Sequence, residues 1–153
     1  MLVKLAQRLG RHQWFARTMR VILPPLDIRV ARLTKGKVVA LGILPSLVLT
    51  TTGRKSGEPR RQPLIYVPDG DGYVVIGSNW GQPNHPAWSG NLLAAPAASV
   101  LLKGQEIPVR AELAEGPERE RLWELLLLTW PAYSAYAERS GRRLRIFKLN
   151  PTR

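Results

Sequence analysis

The sequence predicts an α+β fold: an antiparallel sheet or barrel with flanking helices. Three observations carry this. Short runs rich in apolar and β-branched residues recur from Leu41 onward. Several of these runs are separated by compact turn signals rather than by a helix-length crossover, so they pair as hairpins. Helical patterning is confined to a few segments between the hairpins, an arrangement that suits α+β architecture rather than alternating parallel units.

Taken in order, Ser46–Thr52 (SLVLTTT) is the first strand and closes at Gly53. Gln62–Val67 and Tyr73–Gly77 flank Pro68-Asp69-Gly70-Asp71-Gly72, a strong turn sequence. Ala87–Ala94 reads as a short helix. Ala98–Leu102 and Ile107–Leu113 flank Lys103-Gly104-Gln105 and form a second hairpin. Glu118–Thr129 is a longer helix, opened by Pro117 near its first position and acidic at its start. Pro131 interrupts it, Ala132–Ser140 adds another turn or two, and Leu144–Leu149 is a last strand. No repeat and no low-complexity tract is present.

The 153 residues suit one domain of ordinary size. Without cysteine, the chain has no disulfide, no thiolate metal site and no cysteine nucleophile. Two histidines, His12 and His85, cannot build a histidine-rich metal centre. No apolar run approaches the roughly 20 residues of a membrane-spanning helix, and charges recurring through the first segment argue against a secretory signal. The expected location is cytoplasmic.

The formal net charge is +12, and it is unevenly spread. Residues 1–37 carry nine basic side chains (Lys4, Arg8, Arg11, Arg17, Arg20, Arg29, Arg32, Lys35 and Lys37) against the single acid Asp27. Leu2, Leu5, Ala6 and Leu9 follow helical spacing opposite Lys4, Gln7, Arg8 and Arg11, and Pro24-Pro25 ends the segment. Residues 1–25 are therefore expected to form a basic amphipathic helix, with 26–153 as the single main domain. Such a helix suits an anionic membrane at the inner face, met through residues 1–22; packing on the helix's own domain is the ordinary alternative. Nucleic acid is not an expected partner, because the Trp and Tyr residues form no basic-aromatic stacking surface.

The stretch Thr51-Thr52-Gly53-Arg54-Lys55-Ser56-Gly57-Glu58-Pro59-Arg60-Arg61 carries the clearest chemistry. Backbone amides freed by a glycine turn can line an anion site, to which Arg, Lys and Ser add donors. It is not a Walker loop, since GxxxxGK[ST] is absent. A solvated hairpin tip is the plain alternative. Arg60 and Arg61 are adjacent, so on a strand they face opposite sides and only one points into a given site.

A second stretch runs from Gly77-Ser78-Asn79-Trp80 through His85-Pro86-Ala87-Trp88 to Asn91-Leu92. Amides at Gly77–Asn79 could edge a planar ring, with Trp80 and Trp88 nearby; equally, Trp88 and Leu92 read as a helix packing on the sheet. Ser89 lacks the GxSxG context, and no Asp follows Asp71, so a Ser–His–Asp hydrolase is a poor reading. Glu115, Glu118, Glu120 and Glu124 cluster at a helix start, where they complement its dipole rather than form a glycosidase pair. Tyr133 and Tyr136, three apart, share a helical face and can line an aromatic pocket or donate a proton.

TTGRKSGEPRRQPL, followed by a hairpin and VVIGSNWGQPNHPAWSGNLLAAP, resembles the deazaflavin (F420)-dependent nitroreductase and quinone reductase family of actinobacteria, from about Leu47 to Tyr136. The resemblance implies a split β-barrel related to the FMN-binding pyridoxamine oxidase-like barrels. It also implies coenzyme F420, a deazaflavin with a phosphate and an oligoglutamate tail, and thus an acidic ligand. Arg54, Lys55, Ser56 and Gly57 match the family's phosphate-binding turn, and Arg60 or Arg61 the basic position after it. Pro63 and Leu64 match the strand beside the ring. Gly77, Ser78 and Asn79 match the loop at the deazaflavin, and Ala87, Trp88 and Asn91 the helix start near it. Tyr133 and Tyr136 look like aromatic residues on the substrate side, and Ser78 like a hydrogen bonder there.

The reaction implied is hydride transfer from reduced deazaflavin to an electron-poor acceptor such as a quinone or nitroaromatic, with Tyr136, Tyr133, Ser78 or water supplying a proton. Arg142, Arg143 and Arg145 make the tail more basic than the family pattern and are expected to affect the substrate entrance. An FMN- or haem-binding protein on the same barrel, or a non-catalytic F420 carrier, is the alternative class.

Overall fold

The computed structural model describes residues 45–152. The basic segment expected to be helical over 1–25 lies outside them. Seven strands form one antiparallel sheet: β1 (Ser46–Thr52), β2 (Pro59–Ile65), β3 (Val67–Asp69), β4 (Gly72–Ile76), β5 (Ala97–Leu102), β6 (Gln105–Leu113) and β7 (Ile146–Pro151). The strand order is β2-β1-β5-β6-β7-β4-β3, so β2 and β3 are the edges. Three helices accompany it among the described residues: α1 (Ala87–Ala94), α2 (Gly116–Thr129) and α3 (Tyr133–Ser140). The sheet curls into a half-barrel, as the sequence-based fold class requires.

The hairpins follow from their turn residues. Leu102 pairs with Gln105, so Lys103 and Gly104 alone turn the chain, at φ 50° and 77°. That tight two-residue turn needs left-handed backbone, which Gly104 adopts freely. Asp69 pairs with Gly72 across Gly70-Asp71, with Gly70 at φ 60°. The main difference from expectation is that Gln62–Val67 is not one strand: β2 begins at Pro59, because Thr52 and Thr51 pair with Pro59 and Arg60, and ends at Ile65, while Val67–Asp69 forms β3, which pairs with β4 at the opposite edge of the sheet. Gln105 belongs to β6 rather than to the turn, and β7 starts and ends two residues later than expected, reaching Pro151 opposite Val109.

Strand alternation divides the apolar residues into two cores. Leu47, Leu49, Val75, Val100, Val109, Phe147 and Leu149 face inward with Trp88 and Leu92 of α1. Val74, Ile76 and Ile146 face the other way, against Leu122 and Leu126 of α2, Trp130, and Tyr133 and Tyr136 of α3. Each large side chain so buried contributes roughly 1.5–3 kcal/mol. Helix α1 thus packs on the inner face, and α2 and α3 on the outer.

A charged clamp ties α2 to the β3–β4 hairpin. Arg121 donates to both oxygens of Asp69 at 3.0 and 2.8 Å, Lys148 of β7 donates to the same carboxylate at 3.0 Å, and Arg121 also pairs with Glu118 at 2.7 Å. The hydrogen bonds from Arg121 and Lys148 hold the Asp69 carboxyl well below the usual carboxylate range. Its native value lies below the unfolded value near ~3.9. The clamp's contribution is therefore complete above about pH 4 and is lost as pH falls through the native value. Asp69→Asn should lower stability by about 1 kcal/mol at pH 7, since the arginine is half exposed, and the deficit should shrink in strong acid. Urea unfolding at pH 7 and pH 3 checks both parts.

Candidate functional site

An open cleft of about 800 Å³ lies between the β1–β2 turn and the start of α1. It is lined by the turn residues Gly53–Ser56, by Pro59–Gln62 of β2, and by Ala87, Trp88 and Asn91 of α1. The turn closes on itself: Gly53 N–H donates to Glu58 O at 2.8 Å and Gly57 N–H to Gly53 O at 2.7 Å, with Gly57 at φ 72°. Ser56 Oγ accepts from Glu58 N–H at 3.2 Å and from Arg60 Nη2 at 3.3 Å. These bonds leave the amides of Lys55 and Ser56 without a partner among the described residues.

Asn91 joins the turn to the helix. Its Nδ2 donates to Thr51 Oγ1 at 3.0 Å, in a buried bond. Its Oδ1 accepts from the Arg54 backbone N–H at 3.1 Å and from Arg54 Nη1 at 3.4 Å. Arg54 Nη1 also donates to Ala87 O at 3.0 Å. Asn91 therefore spends most of its hydrogen-bonding capacity inside the protein, holding Arg54 in the cleft wall. Gly90 makes room for this: a Cβ there would lie 2.6 Å from Arg54 Nη1 and 2.9 Å from Cζ. Sequence reasoning passed over Gly90, although a glycine inside a helix is itself a signal, because it costs up to about 1 kcal/mol against alanine and needs a packing reason.

The sequence candidates fall into four places. Arg54, Lys55, Ser56, Arg60, Arg61, Ala87, Trp88 and Asn91 meet at the cleft, where Pro59 and Gln62, not singled out from sequence, join them. Arg60 pairs with inward-facing Thr51 and Arg61 with Thr50, so their side chains leave opposite faces of edge strand β2. Pro63 and Leu64 continue β2 opposite Val48 and Leu47, beyond the cleft lining, and Leu64 packs on the inner core.

Gly77, Ser78 and Asn79 lie in the loop from β4 to α1. Asn79 and Trp80 there have left-handed backbone, at φ 45° and 54°. For a bulky tryptophan this costs about 1–3 kcal/mol, and such strain concentrates at functional sites. It persists because Trp80 stacks edge-on against Tyr136 with centroids 6.1 Å apart. Arg139 Nη1 also donates to Trp80 O at 3.4 Å. Gly81 (φ 76°) fits against Tyr136, where a Cβ would come within 3.2 Å of the tyrosine Cα.

Tyr133 and Tyr136 share a face of α3 but lie in the outer core, apart from the anion cleft. Trp130 Nε1 donates to Tyr136 Oη at 3.3 Å. Burial pushes the Tyr136 phenol up to about 12, and burial together with Tyr136 raises Tyr133. Both hydroxyls stay protonated at neutral pH.

The cleft's electrostatics are one-sided. Arg54, Lys55, Arg60 and Arg61 line it with no Asp or Glu among the lining residues. The N-terminus of α1, at Ala87 and Trp88, adds helix-end amides and a positive dipole end. No group of three His, Cys, Asp or Glu side chains suited to a metal exists among the described residues. A split-barrel protein with a cationic cleft is the class defined.

Comparison with known proteins makes this specific. Residues 26–151 match the family model for F420H(2)-dependent quinone reductase. An F420H(2)-dependent quinone reductase of Mycobacterium tuberculosis is 34% identical over 118 residues, 74% of this chain and 79% of that protein. The solved F420-H2 dependent reductase FDR-A is 36% identical at a TM-score of 0.64, covering 69% of this chain and 94% of its own. A Listeria innocua protein described as a pyridoxamine 5'-phosphate oxidase shares the fold, at a TM-score of 0.50 and 17% identity, over 84% of this chain and 94% of its own. The chain belongs to the F420H(2)-dependent quinone reductase family. It is an oxidoreductase, and its cofactor is coenzyme F420.

The donor set fits that cofactor. A phosphate matches the free amides of Lys55 and Ser56, and carboxylates match the guanidinium and ammonium groups around them. Gly90→Ala separates stability from binding. The added methyl must displace the Arg54 guanidinium, a flexible end, while alanine favours the helix by up to about 1 kcal/mol. The melting temperature should hold or rise, and F420 affinity by fluorescence titration should fall several-fold, as roughly one charge-assisted contact is disturbed.

Proposed function

We propose that the cleft holds the phosphate and tail of F420 and that the protein reduces a quinone-like acceptor. The observation that carries this is the carboxylate-free cluster of Arg54, Lys55, Arg60 and Arg61 at the N-terminus of α1. Reduced F420 supplies the hydride when bound. Lys55 and the amides of Lys55 and Ser56 bind the phosphate, Arg60 or Arg61, which leave opposite faces of β2, meets the glutamate carboxylates, and Arg54 is held by Asn91 to complete the wall. Trp88 and Ala87 border the ring on the helix side, and Gly77, Ser78 and Asn79 edge it from the β4–α1 loop. Pro63 and Leu64 belong to the strand behind. Fixing the ring in this way lowers the barrier by orientation rather than by covalent chemistry.

A quinone that gains a hydride also takes up a proton. Ser78, Tyr133 and Tyr136 are the side-chain donors we assign, with solvent as the other source. Tyr136 contacts Trp80, in the same loop as Ser78, and its phenol is protonated across the neutral range. Stopped-flow oxidation of reduced F420 by a panel of quinones and nitroaromatics tests the reading. Lys55→Ala should weaken F420 binding by roughly 1–3 kcal/mol. Tyr136→Phe should leave binding within about threefold and slow quinone reduction about 10-fold or more. Tighter binding of FMN than F420 would overturn the assignment in favour of an FMN-binding relative.

We also propose that residues 1–22, basic and without an acid, bring the enzyme to the anionic inner face of the membrane, where lipophilic quinones dissolve. None of the described helices is long and apolar enough to cross a membrane. Sedimentation with vesicles containing anionic lipid should bring down the full chain at low salt and release it at high salt. A chain lacking residues 1–22 that sediments equally well would refute the role.

A further inference from the structure

Arg142 follows α3, beyond the helix-ending Gly141. Its guanidinium is turned entirely to the β4–α1 loop. Nε donates to Gln82 O at 3.1 Å, Nη1 to Gly77 O at 3.2 Å, and Nη2 to Ser78 O at 3.0 Å. Nη1 also lies 3.0 Å from His85 Nδ1. Four groups spread over nine residues of one loop are gathered by one planar, five-donor side chain. Lysine cannot reproduce this set of contacts from its single ammonium. No carboxylate pairs with this guanidinium among the described residues. Its charge is met by carbonyl dipoles and one imidazole. An arginine kept for solubility would not be half buried in this way.

The loop so gathered runs straight into the cleft. Gly77 N–H is fixed to Arg145 O at 2.8 Å, and a Cβ on Gly77 would lie 3.3 Å from the Pro86 ring. Pro86 caps α1, whose first residues line the anion cleft. The strained Asn79 and Trp80 lie between the anchored carbonyls of Ser78 and Gln82. Those anchors add to the hold that Tyr136 and Arg139 already exert on the left-handed pair.

We propose that Arg142 is a positioning residue for the reductase, holding Gly77–Ser78 and the start of α1 in register by binding three loop carbonyls and the Nδ1 of a neutral His85. This rests on the reading above that Gly77 and Ser78 edge the cofactor ring. An arginine has no acceptor, so the short contact requires Nδ1 to be unprotonated, with the ring proton on Nε2. The charged groups facing His85 are Arg142 and Arg145, both cationic. Burial and these two charges push the imidazolium below its ordinary value, in keeping with the geometry. Protonating His85 would set it against Arg142 and loosen the loop.

The test has one arm that needs no cofactor. Nitrogen-15 NMR of the His85 ring in the full chain should show the Nε2–H tautomer, with the ring titrating below its ordinary range. In Arg142→Lys the same ring should titrate at higher pH. The second arm compares binding with chemistry. Arg142→Lys should leave F420 affinity within about threefold while slowing single-turnover hydride transfer to a soluble quinone 10-fold or more, the reverse of the pattern expected for Lys55→Ala. An Nδ1–H tautomer in the wild-type protein would overturn the proposal, as would a His85 titration unmoved by the substitution. An altered His85 titration with unchanged hydride transfer would overturn the positioning role and leave the reductase reading intact. Should the wild-type protein fail to oxidise reduced F420 with any quinone, the reductase reading falls, while the ring spectra still decide whether Arg142 holds His85.

Discussion

The Asn91 carboxamide is the joint on which the cleft depends. It is buried, and a buried amide must find partners inside the protein or cost about 1–3 kcal/mol for each group left unpaired. Its partners come from two places, the hydroxyl of Thr51 at the end of β1 and the backbone and side chain of Arg54 in the turn beyond. The one amide thus sets the distance between sheet and helix and the direction of the Arg54 guanidinium. The glycine before it is the steric condition for the same arrangement, since any side chain at position 90 would occupy the space the guanidinium takes.

Around that joint the two faces of the sheet divide the work. The inner face carries α1 and presents helix-end amides beside a basic turn. The outer face carries α2, α3 and an aromatic cluster from which Trp80 reaches the β4–α1 loop. Arg142 crosses from the α3 side to that same loop. The loop is therefore gripped from the outer side and delivers the helix start to the inner one. Strain at Asn79 and Trp80 marks the crossing.

Charge is segregated with the same economy. Asp69 and Glu118 are engaged by Arg121 and Lys148 at the hairpin and α2, away from the cleft. The cleft keeps its basic groups without a competing carboxylate in its lining. A polyanionic ligand entering there replaces no internal ion pair, so its attraction to the protein is not spent on breaking one.

How much of this was legible in the sequence follows from the range over which each feature is decided. The hairpins at Gly70 and Lys103-Gly104 were readable because left-handed turn backbone is a property of two or three neighbouring residues. The GRKSG turn and its basic neighbours were readable for the same reason, and their spacing carried the family and hence the cofactor. The limits of β2 were not, because a strand begins where its partner offers hydrogen bonds, and Pro59 and Arg60 pair with Thr52 and Thr51 only once the turn between them has closed. The helical face shared by Tyr133 and Tyr136 was legible, but which core that face would enter depended on how α3 docks on the sheet. What Asn91, Gly90 and Arg142 touch was decided by tertiary structure alone, although the sequence itself pointed to Asn91 at the helix start and to Arg142 in the basic tail. Their partners lie some 35 to 65 residues away in the chain, and no local pattern of polarity or spacing records which distant carbonyl or guanidinium a folded chain will bring to them.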